Sequence, residues 1–479
     1  MKVGLAAEAR GPHVGRRRGA ARAKATARIA SVLLVCAAAL PSADVPRGLE
    51  TFDAVWTIVR DTHFDPTFNG VDWDAARDEF RPKAAAALTS GELRGVIQSM
   101  LGRLGQSHFS VIPAAAGEND PAVAGAAAPG FDFRVVDEQV LVTRVEPGSD
   151  AAGAGIKPGW RLTAIEDRPL ADIFKRLEDA PDDRMRNLEA WRALQGRLRG
   201  ADSSQVTLTF ADAAGTAVRR QVARSQPQGM AVTVGNLPTM YVQVTSEKRK
   251  TPAGRPAGVI GFNVWMATVD RPFQLAVDEH RDAAGIVIDL RGNPGGLAAM
   301  MMGIAGHFIP ERESLGVMKS RDNELKFTVN PRLVNANGER VETFSGPVAI
   351  LVDGLSASAS ECFTGGMQSL RRVRVFGERT MGAALPSQFD KLPNGDVFIH
   401  ATADFVTGDG TRLEGRGVIP DEAVPLKRAD LLAGKDAALE AALAWIDTRQ
   451  DRAAPNLQRR RKLPRRSFSG GRELASSKM

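Results

Sequence analysis

Cysteine is nearly absent from this chain of 479 residues, which has only Cys36 and Cys362. Cys36 lies in an N-terminal segment that we expect to be removed, so the mature chain would keep one cysteine and could form no intramolecular disulfide. We expect Cys362 to be a small buried hydrophobic residue. Histidine is also scarce, with six residues, and no two of them have the spacing of zinc ligands. The sequence therefore excludes disulfide-rich folds and predicts no metal site.

A uniform surplus of positive charge is also lacking, although the formal net charge is +7. The first 28 residues carry a net +7 and the last 31 carry a net +8, which leaves −8 for the residues between them. The basic character belongs to the two ends, so it does not predict binding of nucleic acid by the body of the protein. With 43% hydrophobic and 25% charged residues, the composition is globular, and the length allows two or three domains.

Residues 1–43 have the pattern of a signal or targeting segment. A basic stretch that includes Arg16, Arg17 and Arg18 is followed by an apolar run at 29–40, which is too short to span a membrane as a mature helix. The small residues at 41–43 offer a cleavage site. We therefore predict export to the periplasm or cell envelope. A lipid-anchored form is less favoured, because Val35 is bulkier than the usual residue before a lipidated cysteine.

The remainder of the chain divides into five segments by periodicity and composition. Leu49, Phe52, Val55, Trp56 and Val59 recur with the spacing of one helix face. The linker is rich in Ala, Gly and Pro, and the tail is basic, so we expect the tail to be disordered. The predicted bounds are 47–113 for an N-terminal helical domain, 114–129 for the linker, 130–224 for a β-rich domain, 236–446 for the core and 449–479 for the tail.

The core segment repeats a unit of buried strand, glycine turn and helix. Apolar runs at 284–290 and 348–352 predict strands, with helices expected at 297–308 and from 361 to 370. A further amphipathic helix is predicted at 436–446. Such repeats predict an α/β fold with a parallel sheet, whose functional sites lie at the carboxyl ends of the strands.

Alternating serine and alanine residues follow the second of these strands, at 356–361. A hydroxyl at a strand-to-helix turn is exposed and lies beside free backbone N–H groups at the positive end of the helix dipole. Such a serine could be a nucleophile. The alternative interpretation is that the serines only cap the helix, because serine is a favoured N-cap residue.

Four motifs together resemble the C-terminal processing and tricorn-type serine peptidases, in the tricorn-like branch with a PDZ domain. They are Gly-Gln-Ser-His at 105–108, Leu-Arg-Gly-Asn-Pro-Gly-Gly at 290–296, Ser-Ala-Ser-Ala-Ser-Glu at 356–361 and Leu-Glu-Gly-Arg-Gly at 413–417. The resemblance implies an α/β fold with a crotonase-like (ClpP/crotonase) parallel-sheet core. It also implies that 47–113 is a helical domain and that 130–224 is a PDZ-like β domain with a charged helical insert.

The resemblance also implies roles for individual residues. Ser358 would be the nucleophile, His108 the general base, and Ser107 the link between His108 and the acid Glu414. Glu361 and Glu378 are weaker alternatives for the acid. The C-terminal processing branch has a catalytic lysine where this chain has Ala383, which cannot accept a proton, so the absent lysine agrees with the use of His108.

Backbone groups would complete the site. The resemblance implies an oxyanion hole formed by the N–H groups of Ala359 and of Gly295 or Gly296. It places a peptide-binding loop in the β-rich domain, where successive N–H groups would hold a C-terminal carboxylate. This loop comprises Gly130, Phe131, Asp132 and Phe133.

The predicted function is therefore that of a serine endopeptidase, a hydrolase that cleaves peptide bonds through an acyl-enzyme. The reaction needs no cofactor and no metal. We expect the substrate to be a peptide or an unfolded protein, recognised in part by its C-terminus at the PDZ-like domain. We expect no binding of nucleic acid and membrane contact only through the signal segment. The sequence leaves open whether the protein forms a homo-oligomer. Two alternatives remain: a non-catalytic ligand- or peptide-binding protein on the same fold, and a PDZ-led scaffold.

Overall fold

The computed structural model describes residues 47–114, 126–178, 183–235 and 239–461, with side chains described up to residue 449. The predicted targeting segment, most of the linker and the end of the basic tail lie outside the described residues. Among the helices in the described part of the chain, none combines the length and apolar character needed to cross a membrane.

The first described unit is helical, as predicted, and its helices begin at side-chain caps. Asp72 accepts the backbone N–H of Ala75, and Thr89 accepts that of Glu92, so each satisfies an orphan donor of the helix it precedes. Trp56 and Trp73 each donate the indole N–H to the other residue's carbonyl, which fixes the first two helices together. The elements are α1 (Gly48–Thr62), α2 (Trp73–Ala86), α3 (Ser90–Gly102) and the short strand β1 (Ser110–Ile112).

The second unit is an antiparallel sheet with order β2-β3-β4-β6-β7, onto which the predicted helical insert packs. Strand β2 therefore forms one open edge of this sheet. The elements are β2 (Phe131–Val136), β3 (Gln139–Val145), α4 (Asp150–Gly153), β4 (Arg161–Ile165), β5 (Arg168–Pro169), α5 (Ala171–Lys175), α6 (Asp183–Leu198), β6 (Gln205–Ala211) and β7 (Ala217–Ala223).

The third unit contains the remaining described strands and α-helices, which form four further sheets, one of them shared with β1, and five helices. Its strands are β8 (Met230–Val232), β9 (Met240–Val242), β10 (Val244–Lys250), β11 (Pro256–Phe262), β12 (Ile286–Asp289), β13 (Glu313–Lys319), β14 (Glu324–Val329), β15 (Val348–Val352), β16 (Arg374–Gly377), β17 (Ser387–Lys391), β18 (Val397–Ala401), β19 (Asp404–Thr407) and β20 (Glu422–Ala423). Its helices are α7 (Asp270–Glu279), α8 (Met300–Ala305), α9 (Ala359–Ser369), α10 (Arg428–Leu432) and α11 (Ala437–Arg461).

The central sheet has the order β10-β11-β12-β15-β16-β20, and only the β10–β11 pair is antiparallel. The predicted parallel sheet is therefore present within a mixed α/β fold. Strand β15 is buried along its whole length, and its side chains alternate between two hydrophobic clusters. Ile350 packs into the cluster with α7, α8 and α9, while Leu351 packs into the cluster with α11. Both faces of the sheet are thus covered by helices.

The helical unit shares its hydrophobic core with strands from the third unit. Leu385, Leu392 and Phe398 lie in the same cluster as Phe52 and Ile97. Strand β1 also pairs with β18, in a sheet of order β1-β18-β17. The N-terminal helices are therefore fixed to the core by burial and by main-chain hydrogen bonds.

Two predicted helix bounds were wrong. Helix α8 covers only Met300–Ala305 of the predicted 297–308, because Leu297 donates its N–H to Trp265 in a bridge that continues the glycine turn. Helix α11 continues to Arg461, past both the predicted end at 446 and the predicted start of the tail at 449. The added residues include Ala, Gln and Arg, which favour helix and allow a formed helix to propagate.

His307 is buried in this core without a polar partner. It is 1% exposed, and among the described residues neither ring nitrogen has a hydrogen-bond partner. Its ring contacts Phe273 and Phe308. Burial lowers the pKa of His307 to about 4, with a smaller contribution from the positive charge of Arg332. The residue is therefore a neutral core side chain just beyond the end of α8.

We expect His307→Leu to raise the free energy of unfolding by about 1–2 kcal/mol at pH 7, because two unsatisfied nitrogens leave the core. In the wild type the unfolded chain binds a proton below the ordinary histidine pKa of about 6.5, whereas folded His307 does not. The free energy of unfolding of the wild type should therefore decrease as the pH is lowered from 6.5 to 4. In the variant this decrease should be less steep, because the variant lacks this histidine. Urea unfolding at pH 5 and 7 measures both effects; a variant less stable than the wild type at both pH values would contradict the interpretation.

Candidate active site

His108 lies in the turn that follows α3, where the backbone conformation is unusual. Gly105 and His108 both have positive φ angles, of 61° and 60°. The turn aims Ser107 and His108 at the loop after β19, which carries Glu414. Ser107 donates its backbone N–H to Glu414 Oε1 at 2.8 Å and its hydroxyl to Glu414 Oε2 at 2.9 Å. Two predicted site residues from distant parts of the chain, Ser107 and Glu414, are thus in direct contact.

The contacts of Ser107 decide the protonation of the His108 ring. The single hydroxyl proton of Ser107 is donated to Glu414, so Ser107 Oγ must accept the hydrogen bond of 2.8 Å that it shares with His108 Nδ1. His108 Nδ1 therefore carries a proton, and Nε2 is left as the acceptor. An imidazole in this tautomer is able to act as a base through Nε2.

Glu414 is suited to the role of a half-buried carboxylate that orients the pair. It accepts a third hydrogen bond, of 2.9 Å, from the N–H of Ala384. Burial raises the pKa of Glu414, while the N–H groups of Ser107 and Ala384 act in the opposite direction by binding the charged form. Three donors on two oxygens hold this carboxylate in one position.

A second histidine supports this turn, and sequence reasoning did not identify that role. His63 Nε2 lies 2.9 Å from Gln106 Oε1, and the His63 ring stacks on Phe109 with centroids 5.6 Å apart. The contacts fix the residues on both sides of Ser107 and His108. His63 is the residue that follows α1, and no spacing signal in the sequence connects it with residue 106.

Ser358 occupies the predicted strand-to-helix turn as the N-cap residue of α9, and it forms a capping box with Glu361. Its φ and ψ angles are 53° and −120°, whereas an N-cap residue ordinarily has an extended backbone. Such a conformation costs about 1–3 kcal/mol for a residue other than glycine. Capping alone therefore does not explain the geometry of Ser358, and a strained turn of this kind is typical of a nucleophile.

Two acceptors hold the strained backbone of Ser358. Its N–H donates to Ala383 O at 2.8 Å and to Glu361 Oε2 at 3.2 Å. Glu361, which is fully buried, also accepts the N–H groups of Gly382 and Ala383 at 2.7 and 2.8 Å and the hydroxyl of Thr380 at 2.5 Å. Glu361 thus orders the turn and is not a partner of His108 in the described contacts.

The two glycines predicted as alternative donors of the oxyanion hole differ in their hydrogen bonds. The N–H of Gly295 donates to Asn293 Oδ1 at 3.0 Å, so Gly295 is already engaged. Among the hydrogen bonds of the described residues, none uses the N–H of Gly296 or of Ala359. Gly295 is needed for another reason, because a Cβ there would lie 2.6 Å from Ser358 Cβ. The glycine turn therefore packs directly on the nucleophile turn and leaves Gly296 and Ala359 as donors.

Ser358 and His108 line one cavity of about 1590 Å³, together with Gly295, Gly296 and Ala359. The hydrogen bonds of the described residues do not include one between the side chains of Ser358 and His108. The structure thus brings Ser358, His108 and the predicted oxyanion residues to one cavity, while Ser107 and Glu414 do not line it and reach it through their contacts with His108. Within the described chain no group of three or more His, Cys, Asp and Glu residues could hold a metal ion.

The predicted peptide-binding residues, Gly130 to Phe133, line the same cavity at the start of edge strand β2. The next residue, Arg134, donates to Asp353 Oδ2 at 2.7 Å. Asp353 Oδ1 in turn accepts the N–H groups of Gly292 and Leu355 at 2.9 and 3.0 Å. One ion pair therefore connects the edge strand with the turns that carry Gly296 and Ser358.

Burial lowers the pKa of His108 to about 4, with a further contribution from the positive charge of Arg192 on α6. The sequence alone suggests the ordinary histidine value of about 6.5. With the lowered pKa, the base is neutral over the whole physiological range, so its function should not require high pH.

Removing the positive charge of Arg192 should raise the pKa of His108 towards 6.5. Titration of the histidine ring resonances by NMR would measure this in the wild type, in Arg192→Gln and, as a control, in Arg219→Gln, which changes an arginine paired with Asp167 on the second unit. We expect an upward shift in Arg192→Gln only. A wild-type value near 6.5 or higher would contradict the buried, neutral state.

Comparisons with known proteins bear on the whole arrangement. Residues 256–424 match the model of peptidase family S41, and residues 49–102 match that of the tricorn protease C1 domain. A tricorn protease homolog of Streptomyces coelicolor is 26% identical over 436 residues, which cover 85% of this chain and 33% of the relative. A CtpA-like serine protease of Staphylococcus aureus is 26% identical over 301 residues, or 62% of this chain and 52% of the relative. This chain thus spans about a third to a half of these relatives.

Solved structures show the same fold. The photosystem II D1 C-terminal processing protease is 20% identical, with a TM-score of 0.52 over 83% of this chain and 99% of that chain. Mature CPAF is 13% identical, with a TM-score of 0.58 over 85% of this chain and 96% of that chain. The two family matches confirm the predicted resemblance to the C-terminal processing and tricorn-type serine peptidases.

Proposed function

We propose that this chain, which carries a peptidase family S41 domain and a tricorn C1 segment, hydrolyses peptide bonds as a serine endopeptidase. The observation that carries the proposal is the unbroken series of hydrogen bonds from Glu414 through Ser107 to His108, in the cavity that Ser358 lines. Binding proteins on a peptidase fold have no need for a tautomer-fixed base beside a strained serine.

The proposed chemistry begins with attack of Ser358 Oγ on the carbonyl carbon of a substrate peptide bond. His108 Nε2 accepts the hydroxyl proton and then donates it to the departing amine. The N–H groups of Gly296 and Ala359 stabilise the negative oxygen of the tetrahedral intermediate. Water, activated by the same histidine, then cleaves the acyl-enzyme. For the first step His108 Nε2 must come within about 3 Å of Ser358 Oγ when substrate is bound.

The finer architecture is part of the proposal. The parallel sheet with helices on both faces is consistent with a crotonase-like core. The antiparallel sheet with the open edge β2 is consistent with a PDZ-like domain. Proposed with them are domain bounds of 47–113 and 130–224, a core that begins at 236, an N-terminal signal segment, and a location in the periplasm or cell envelope.

A fluorophosphonate probe, which reacts with activated serines, tests the catalytic assignment. Wild type should be labelled at Ser358, and Ser358→Ala should not react. His108→Ala should slow labelling by about 100- to 10 000-fold, because the general base is lost. Ser107→Ala and Glu414→Gln should slow it less, since they disturb only the orientation of the ring. With the pKa of His108 at about 4, labelling should be constant from pH 6 to 8 and fall only as pH approaches 4.

The matched control is Ser387→Ala, which removes another serine that lines the same cavity and should leave labelling unchanged. Labelling of Ser358→Ala at the wild-type rate would exclude Ser358 as the nucleophile. A folded wild-type protein that is never labelled would favour the non-catalytic binding protein.

The start of strand β2 is the proposed binding site for the C-terminus of a substrate. Alternate N–H and C=O groups of an edge strand are free to pair with an added strand. Gly130 has a φ of 84°, and a Cβ there would lie 2.4 Å from Ser149 Cβ, so this turn requires glycine. The cavity joins this edge to Ser358, so one extended peptide could contact both.

Binding of peptides to the Ser358→Ala variant tests this second site. A peptide with a free C-terminus should bind at least about tenfold more tightly than its amide, because a carboxylate accepts stronger hydrogen bonds from N–H groups. Gly130→Ala should weaken binding. Gly148→Ala is the control, since its φ is also positive, at 76°, but a Cβ would meet no atom within 4 Å. Equal affinity for acid and amide would contradict the proposal.

A further inference from the structure

We propose that the cavity beside Ser358 contains a pocket for a large apolar side chain on the acyl side of the scissile bond, of the size of leucine, methionine or phenylalanine. This inference rests on the proposed peptidase function and adds a substrate preference to it. We call this region the acyl-side pocket. Its walls are Met301, Met302, Met318, Leu325, Phe327 and Phe405.

The chemical character of the acyl-side pocket is uniform. Helix α8 and strands β13, β14 and β19 line the cavity only with apolar side chains. Charged neighbours in the same strands do not line it. Lys319 pairs with Glu324 at 3.1 Å, and Asp404 pairs with Arg412 at 2.5 Å. A charged substrate side chain in this pocket would lose its water without gaining a partner.

Strand register builds the pocket wall from three adjacent strands. Met318 of β13 lies opposite Leu325 of β14 on one side and opposite Phe405 of β19 on the other. Phe327 packs edge-to-face on Phe405, with ring centroids 5.8 Å apart. The row of side chains is therefore fixed by main-chain pairing and by aromatic packing.

The pocket is closed at its base and open at its rim. Phe405 and Phe327 are only 1% and 4% exposed, and Met301 is fully buried, whereas Leu325 is 54% exposed. The side chains of Met318 and Met302 have intermediate exposure to solvent. The flexible, unbranched side chains of methionine adapt to apolar groups of different shape. Such walls suit several large apolar residues better than a single one.

The position of His108 indicates which side of the scissile bond this pocket serves. His108 must donate a proton to the departing amine, so the leaving part of the substrate lies on the histidine side of Ser358. Residues near the histidine, such as Phe109 and Leu385, belong to the hydrophobic cluster of the helical unit. All walls of the acyl-side pocket except Leu325 belong to or pack against a different cluster, which includes Ala359 and Cys362 in the first turn of α9 beside Ser358. The acyl group therefore faces the pocket.

Peptides that differ only at the acyl-side residue test the proposal. We expect kcat/KM to be about 100-fold higher for leucine, methionine or phenylalanine than for aspartate, lysine or glycine. Fluorophosphonate labelling, which does not require the pocket, is measured on the same sample. Labelled protein with equal kcat/KM across the series would overturn the pocket alone, whereas absence of labelling and cleavage would overturn the peptidase function as well.

Variants test the location of the pocket. Met318→Asp should lower kcat/KM for leucine by at least about tenfold and shift the preference towards lysine, with labelling retained. Leu325→Asp changes an exposed rim residue, so it should fold normally and shift the preference in the same direction by less. Met230→Asp, the same change at an exposed methionine of β8 that does not line the cavity, should leave the preference unchanged. An unaltered preference in both pocket variants would place the specificity elsewhere.

Discussion

The carboxylate of Glu414 is the contact on which the candidate site depends. It lies between the helical unit and the core and accepts hydrogen bonds from both, through Ser107 on one side and Ala384 on the other. Burial of a carboxylate without such donors would be strongly unfavourable. The same contacts that make its burial tolerable therefore align the two units, and they orient the His108 ring at the same time.

The turn that carries Ser358 is also held by a carboxylate that binds backbone N–H groups, in this case that of Glu361. Ser358 has a strained backbone, and Glu361 offsets the strain by binding its N–H together with those of Gly382 and Ala383. The segment that contains these two residues continues directly to Ala384 and so to Glu414. The candidate nucleophile, base and acid are thus linked through one short segment, and a disturbance at any point of it should reach all three.

Sequence reasoning predicted the parts of the site that rest on short local motifs. Ser107, His108, Ser358 and Glu414 lie together because each motif fixes its own turn and the resemblance gives their roles. The motif left the choice between Gly295 and Gly296 open, because it does not reveal that the side chain of Asn293 accepts the N–H of Gly295. The low pKa of His108 depends on burial and on Arg192, which comes from a different unit. The lengths of α8 and α11 depend on tertiary contacts and on helix propagation.

Because the chain is synthesised from its N-terminus, the large separation in sequence between His108 and Glu414 affects when the site can assemble. Ser107 and Glu414 are 307 residues apart, so the ribosome produces the histidine turn long before the carboxylate that orients it. At roughly 5–20 residues per second, the interval is about 15–60 s. During that time a nascent chain would have no assembled site. Incomplete products that end before residue 414 would lack the carboxylate that orients the His108 ring through Ser107.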